Sequence, residues 1–411
     1  MIKDLFSTLL SFEFVFVLYL FAGRYKNDPI FNWVPVDITL LFLLLSILVG
    51  FWVLYKRRFF FRRKSLILSG LFIAFVSYAI SSYFWTPSTV YATKKIGYLS
   101  VLTLWPFLAC TIIIGYDVSR FRRFVFSLAG LSVWFVIESL AAFFASTSPG
   151  QQVAALGVSY LGLGRVIGPA AMVFIVYGTI LGRNRISRVF ALIVYGGYVV
   201  TLLLIGGRGP FLATVLPVLF LLYYGVNVQV FHGIIRVRKY IAPLLLFGIA
   251  GLGAAVSFGS TEIFSTIKRL ALLFDTLGGS ASIRLEMYGE AIDIWGQHPL
   301  FGAGIGGWPV LAGWGDQRMY PHNMILEVLS EFGILGFFLW SLPFIYALWV
   351  FSKMANNRSN PWAVLALMLL ANSFIVSMVT GDITDNRVVF AFLGLLVSYD
   401  FTSVRNEKNK V

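Results

Sequence analysis

The residue best placed to do chemistry is His322, in the run YPHNMILEVLSEFGILGFFLW that spans 320–340. Pro321 before it is a residue favoured at helix starts. The positive end of a helix dipole disfavours imidazolium, so a histidine in the first turn of this helix stays neutral and can act as a base. Asn323, Glu327 and Glu331 follow at four-residue spacing and form one polar stripe down an otherwise apolar helix. Carboxylates in such a setting are costly and are functional suspects, which makes Glu327 the second candidate for proton transfer. The plain alternative is that Glu327 and Glu331 pair with an arginine of a neighbouring helix and hold the bundle together. His232 and His298 are expected to be structural, and Glu13 and Glu138 to be packing contacts.

Arginine is the other informative type. Arg208 stands in IGGRGPF, flanked by Gly206, Gly207, Gly209 and Pro210. A guanidinium on so tight a turn has little cover and suits bidentate contact with an anion, although an arginine at a membrane edge also snorkels to headgroups. Arg165, Arg284, Arg318 and Arg387 add positive charge on the same side of the chain's topology. Several arginines converging on a histidine describe a phosphate site. No metal constellation competes: GDITD (381–385) supplies two carboxylates without a matching histidine. GAGIGG (302–307) fits the dinucleotide fingerprint by letter, but it lacks the strand and helix that give the fingerprint meaning. Its glycines are expected to form a tight turn that permits close backbone approach, in one reading to a ligand.

These residues must be positioned by membrane-spanning helices. The chain has 411 residues, 59% hydrophobic and 12% charged, with a mean hydropathy of +0.84, which excludes a soluble multidomain enzyme. The single cysteine, Cys110, lies in an apolar run and allows neither a disulfide framework nor a cysteine metal site. Apolar windows predict an all-α integral membrane protein with about 12 transmembrane helices. They fall near 5–23, 36–55, 65–85, 96–115, 124–145, 166–182, 189–206, 210–231, 241–258, 323–352, 361–380 and 387–403. The first has no small-residue cleavage site and reads as a retained anchor. Alternate connections are basic: KRRFFFRRK (56–64), Arg120 with Arg122 and Arg123, RNRISR (183–188), RVRK (236–239), Lys353 with Arg358, and the tail. The positive-inside rule puts these loops and both termini in the cytoplasm. The formal charge of +14 is therefore topology and lipid contact, with no nucleic acid implied.

The remaining basic residues, Arg24, Lys26, Lys94, Lys95, Arg165, Arg208, Lys268, Arg269, Arg284, Arg318 and Arg387, fall on the outer side and need another reason. The chain divides into helices 1–9 over 1–258, one long outer loop over 259–322, and helices 10–12 with the tail over 323–411. A loop of that length is normally functional or separately folded. Within it, SASIRLEMYGEAIDIWGQHP predicts an amphipathic helix capped by Ser282 and closed by Gly296 and Pro299. One face carries Arg284, Tyr288 and Trp295, the other Glu286, Glu290 and Asp293. A solvated helix lying on the membrane surface is the plain alternative.

His322, Asn323, Gly333 and Gly336 reproduce H-N-x9-G-x-x-G, which resembles the signature of the bacterial O-antigen ligase and polymerase superfamily. HPLFGAGIGGW, Arg284, Trp295 and Arg208 in its G-R-G turn extend the likeness over about 206–340. The resemblance implies a C-type glycosyltransferase architecture in the bacterial inner membrane, with the long loop and the active site periplasmic. The partners it implies are a glycan on undecaprenyl pyrophosphate, a lipid A core or glycan acceptor, and membrane lipids. His322 would be the general base and Arg208 with Arg284 would hold the pyrophosphate, assisted by Arg165, Arg318 or Arg387. Asn323, Gly333, Gly336 and Trp295 would support the site. No cofactor and no metal are expected, since the donor is already activated. O-antigen polymerases often carry R-x10-G motifs in outer loops, and none of the outer basic residues starts one, which favours the ligase. A polymerase joining lipid-linked repeat units is the alternative. A transporter or flippase of lipid-linked glycan, a further one, shares the twelve-span layout but usually shows an internal repeat.

Overall fold

The computed structural model describes residues 8–9, 11–146, 152–229, 234–237, 279–353 and 360–397. The protein is mostly helical, and every expected span inside this range has a helix at its place. The ninth, 241–258, lies outside the described residues, as do the start of the outer loop up to 278 and the tail from 398. In chain order the helices are α1 (Phe12–Phe21), α2 (Ile38–Lys56), α3 (Arg63–Ser81), α4 (Val90–Tyr116), α5 (Val118–Ala145), α6 (Tyr160–Val176), α7 (Arg185–Leu204) and α8 (Arg208–Gly225). They continue with α9 (Gly279–Gln297), α10 (Gly307–Leu311), α11 (Met324–Lys353), α12 (Pro361–Ser377) and α13 (Arg387–Val397). Two antiparallel hairpins, Ala154–Ala155 with Val158–Ser159 and Val226–Gln229 with Ile234–Val237, are small additions that apolar windows do not reveal. Among the described residues, seven helices are long and apolar enough to cross a membrane: α2, α3, α4, α5, α6 with its extension to Leu181, α7 and α11.

The boundaries follow from local chemistry. Asp37, Asp117, Asn184 and Asn360 each accept a hydrogen bond from an amide of the following first turn, and Pro361 takes the first position of α12. Within α4, wide π turns at Tyr98–Thr103 and Ala109–Ile113 flank Pro106, which cannot donate to the ladder. The centre of the bundle is α6 with α12 and α13: 83% of the spanning window of α6 is buried, against 28% for α7. Gly168 of α6 faces Asn372 and Thr214, and an added Cβ there would meet both at 3.0–3.2 Å. Small residues thus set close helix approach where lipid supplies no hydrophobic drive. Leu40, Leu44, Leu48, Phe51 and Trp52 of α2 are exposed, forming an outward apolar face suited to acyl chains.

Two expectations about the loop change. The amphipathic helix starts at Gly279 rather than after Ser282, and it is docked on protein rather than solvated on a membrane. Met287, Ala291 and Ile294 pack with Ala303 and Trp308 in a second, smaller core. Glu290 on the opposite face accepts from Trp314 Nε1 at 3.0 Å.

Helix α11 is also not the single rod expected. Gly333 has φ 62° and ψ −166°, a conformation that breaks the helix and is essentially open to glycine alone. The orphaned groups at the break find partners in the glycine loop. Ala303 N donates to Ser330 O and Gly304 N to Glu331 O, both at 2.8 Å. In return Ile334 N donates to Pro299 O at 2.9 Å and Leu335 N to Leu300 O at 3.2 Å. A Cβ on Gly302 would lie 2.3 Å from the Glu331 carbonyl carbon, and one on Gly333 2.4 Å from Leu300 O. The close approach that GAGIGG permits is therefore to the chain's own backbone, not to a ligand.

Candidate functional site

His322 lies one residue before the cap of α11, not in its first turn. Asn323 is the cap, its Oδ1 accepting from Ile325 N at 3.0 Å and Leu326 N at 3.2 Å. His322 itself has φ 57°, a left-handed conformation uncommon for a side-chain-bearing residue. Its ring meets the Tyr320 ring edge to face at 4.6 Å between centroids. Nδ1 is buried without a hydrogen-bond partner. Burial, with the guanidiniums of Arg284 and Arg165 behind it, lowers the imidazole pKa to about 4. The lowering comes from desolvation and two arginines, where the sequence pointed to the helix dipole.

Helix α9 brings Arg284 and Tyr288 to this histidine, as their shared face implied. Tyr288 donates to Met378 O at 3.3 Å and is hydrogen-bonded by the Asn323 side chain, so it links α9 to the His322 turn and to the end of α12. Trp295, on the same face further along, has a buried Nε1 without a partner. Gly333 and Gly336 act at a distance through the break. A Cβ on Gly336 would crowd Phe332 and the Tyr78 ring, and Tyr78 donates to the freed Phe332 carbonyl at 3.1 Å.

The acidic loop GDITD is not a bland connection. Asp385 pairs with Arg165 at 2.5 Å and Arg24 at 2.6 Å, and Arg318 Nη2 lies 3.9 Å away. Despite burial, Arg165, Arg24, Arg318 and Arg387 hold its carboxyl far below the usual range. Asp382 is buried and accepts from Tyr91 OH at 2.9 Å, Arg318 Nε at 3.2 Å and Thr384 Oγ1 at 2.8 Å. Burial would lower the Arg318 pKa, but Asp382 and Asp385 outweigh it and raise the value. Both carboxylates are thus committed to cations of the protein. Arg387 donates to the Leu20 and Tyr19 carbonyls at the end of α1 and covers the Tyr19 ring.

Arg208 opens α8 next to this cluster. A Cβ on Gly209 would meet Val379, one residue before the Thr380 carbonyl that accepts from Arg165 Nη2 at 2.7 Å. Counting Arg24, Arg165, Arg284, Arg318 and Arg387 against Asp382 and Asp385, the region keeps an excess of positive charge that favours an anion. A cavity of about 710 Å³ opens here. Arg24, Arg165, Arg318, Arg387 and Tyr320 line it together with the apolar Leu20, Leu40, Leu43, Leu102 and Val376. Tyr320 lines this cavity and its ring contacts that of His322.

Three residues lie where the sequence did not place them. Lys95, counted among the outer charges, is buried in α4 and bonds Glu327 Oε1 at 2.6 Å and Glu331 Oε2 at 2.7 Å. The expected partner of these glutamates was an arginine, and the structure supplies a lysine to both. Arg24 stood out only as a charge that orientation did not require. Asp316 carried no signal beyond its place before Arg318, yet it accepts from the amides of Thr89, Val90 and Tyr91 and from Ser88 Oγ. It clamps the loop bearing Arg318, Tyr320 and His322 onto the start of α4, and those bonds, against slight burial, depress its pKa.

No curated protein matches the chain. Residues 191–341 match the family model described as O-Antigen ligase, a stretch holding Arg208, Arg284, Trp295, the glycine loop, His322 and the break at Gly333. That match covers little more than a third of the chain and supports the O-antigen ligase and polymerase superfamily.

Proposed function

We propose that the protein is an O-antigen ligase. It is a metal-independent inverting glycosyltransferase that moves a polysaccharide from undecaprenyl pyrophosphate to a sugar of the lipid A core, at the periplasmic face of the inner membrane. The observation that carries this reading is His322: its pKa lowered by burial and by Arg284 and Arg165, with a buried uncommitted nitrogen, in ring contact with Tyr320, which lines a cavity of both arginine and apolar side chains. A pyrophosphate suits the arginines of that lining and a polyprenyl chain its apolar side chains.

In the proposed step, His322 takes the proton of the acceptor hydroxyl as its oxygen bonds to the anomeric carbon. The bond from that carbon to the pyrophosphate oxygen breaks, and the leaving charge stays with the guanidiniums. Attack opposite the leaving group inverts the anomeric centre. Arg284, with no carboxylate partner among the described residues, and Arg208, on its glycine-flanked turn at the start of α8, are assigned the direct contacts with phosphate. The paired arginines, with Arg387, are assigned to shaping the field. Glu327, sealed at 1% side-chain exposure with Lys95, is assigned to holding α11 rather than to proton transfer.

The test is transfer by purified protein in detergent from undecaprenyl-pyrophosphate-linked glycan to lipid A core oligosaccharide. Wild type should form product, should do so in excess EDTA, and should lose about 10²–10⁴ in rate on His322→Ala. Product formed only with a second lipid-linked glycan as acceptor would make the protein a polymerase. Full activity of His322→Ala would remove the base.

A further inference from the structure

At the opposite ends of the helices lies a second and larger cavity, of about 1390 Å³, which the proposed reaction does not use. Arg165, in the second turn of α6, and Leu181, at the end of its extension, are about 24 Å apart at 1.5 Å per residue, so this cavity faces the other side of the membrane. Its walls are apolar: Phe14, Leu18, Phe126, Leu131 and Leu181 of α1, α5 and the α6 extension. Its rim is cationic. Arg122, Arg123 and Arg183 line it, together with the Ser187 hydroxyl.

These arginines differ in what holds them. Arg123 is bound with Arg120 to the buried carboxylate of Glu13, at 3.0 Å and 2.7 Å. Arg122 and Arg183 have no carboxylate partner among the described residues, and Arg122 instead lies 5.7 Å over the Trp362 ring. An exposed arginine at a membrane edge needs no special explanation. Two without counter-ions at the mouth of an interhelical apolar cavity form the pattern by which basic pockets on the cytoplasmic side hold anionic lipid headgroups. The basic loops assign this side to the cytoplasm.

We propose that this cavity binds one anionic glycerophospholipid of the cytoplasmic leaflet, its acyl chains between α1, α5 and the α6 extension and its phosphate on Arg122 and Arg183. The site is separate from the proposed reaction and stands whatever sugar or acceptor the protein uses.

The test is native mass spectrometry of the full chain in mild detergent, titrated with phosphatidylglycerol or with phosphatidylcholine of the same acyl chains. Wild type should retain phosphatidylglycerol in preference. Arg122→Gln with Arg183→Gln should weaken that binding roughly 30-fold, the equivalent of about 1 kcal/mol for each arginine. Arg63→Gln with Lys64→Gln, an equal charge change in the first turn of α3, should leave it intact. Gly130→Trp provides a test that keeps every charge: Gly130 lines the cavity, and a Cβ there meets nothing within 4 Å. It should fold and should exclude the acyl chains. Equal retention of the two lipids by wild type, equal loss in the control pair, or undiminished binding by Gly130→Trp would each overturn the proposal.

Discussion

His322 combines a left-handed backbone, a buried unpartnered nitrogen and two nearby guanidiniums, and its titration is where these can be checked. With the pKa lowered to about 4 by burial, Arg284 and Arg165, the base form persists well below neutrality. The acid limb of kcat/KM should fall near that value rather than near 6.5. Arg284→Gln removes one like charge, so the limb should move to higher pH even as the rate falls. The sign for stability is the same. The unfolded histidine binds more protons than the folded one between about pH 4 and 6.5, so its contribution is present above that window and lost on acidification. A limb already near 6.5 in wild type, or one that Arg284→Gln does not move, would sink this account of the base. The residue types were legible in the sequence because a histidine beside an intramembrane acidic stripe and outer arginines without an orienting role are rare. Their pairing was not. Arg165 meets Asp385 across 220 residues and Lys95 meets Glu331 across 236, and no local pattern specifies such contacts.

At the scale of elements, the glycine loop and the broken helix are one device. Loop 299–304 fills the hydrogen bonds that Gly333 releases, so the two glycine motifs are complementary halves of one contact. The spacing showed both motifs but not that they meet, because their contact is made by backbone atoms that carry no side-chain signature. Gly333→Ala should lower the melting temperature in detergent: the strained backbone alone costs about 1–3 kcal/mol, and the new Cβ would lie 2.4 Å from Leu300 O. A melting temperature equal to wild type would mean the break is dispensable. Below the break, Lys95 ties α4 to α11 through two carboxylates, with the Lys95 side chain fully buried. Lys95→Met leaves those acids buried without a cation and should cost about 3–5 kcal/mol, whereas adding Glu327→Gln and Glu331→Gln should recover most of it. If Lys95→Met melts like wild type, the ion triad does not hold the helices. Lys95 escaped the sequence reading because a lysine at the edge of an apolar window looks like a flank; α4 starts at Val90, six residues before the window, and takes the lysine inside.

For the whole molecule, the helix order was legible because apolar windows and polar caps are local and repeat along the chain, while the approach of α6, α12 and α13 depends on contacts between distant small residues. Orientation is the property on which both proposed sites depend. It places the His322 region and the Arg122–Arg183 cavity on opposite faces, and it rests on the basic loops alone. The sequence supplies a clean way to measure it, since Cys110 is the single cysteine and is 0% exposed, so wild-type protein should take up little thiol reagent. Gln317→Cys adds an exposed thiol in the loop before His322, and Arg185→Cys one at the start of α7. In intact cells with a permeable outer membrane, a membrane-impermeant maleimide should label Gln317→Cys promptly and Arg185→Cys only after the inner membrane is opened. Labelling in the reverse order would turn the whole bundle over, putting the proposed base in the cytoplasm and the lipid cavity in the outer leaflet, and both assignments would fall together.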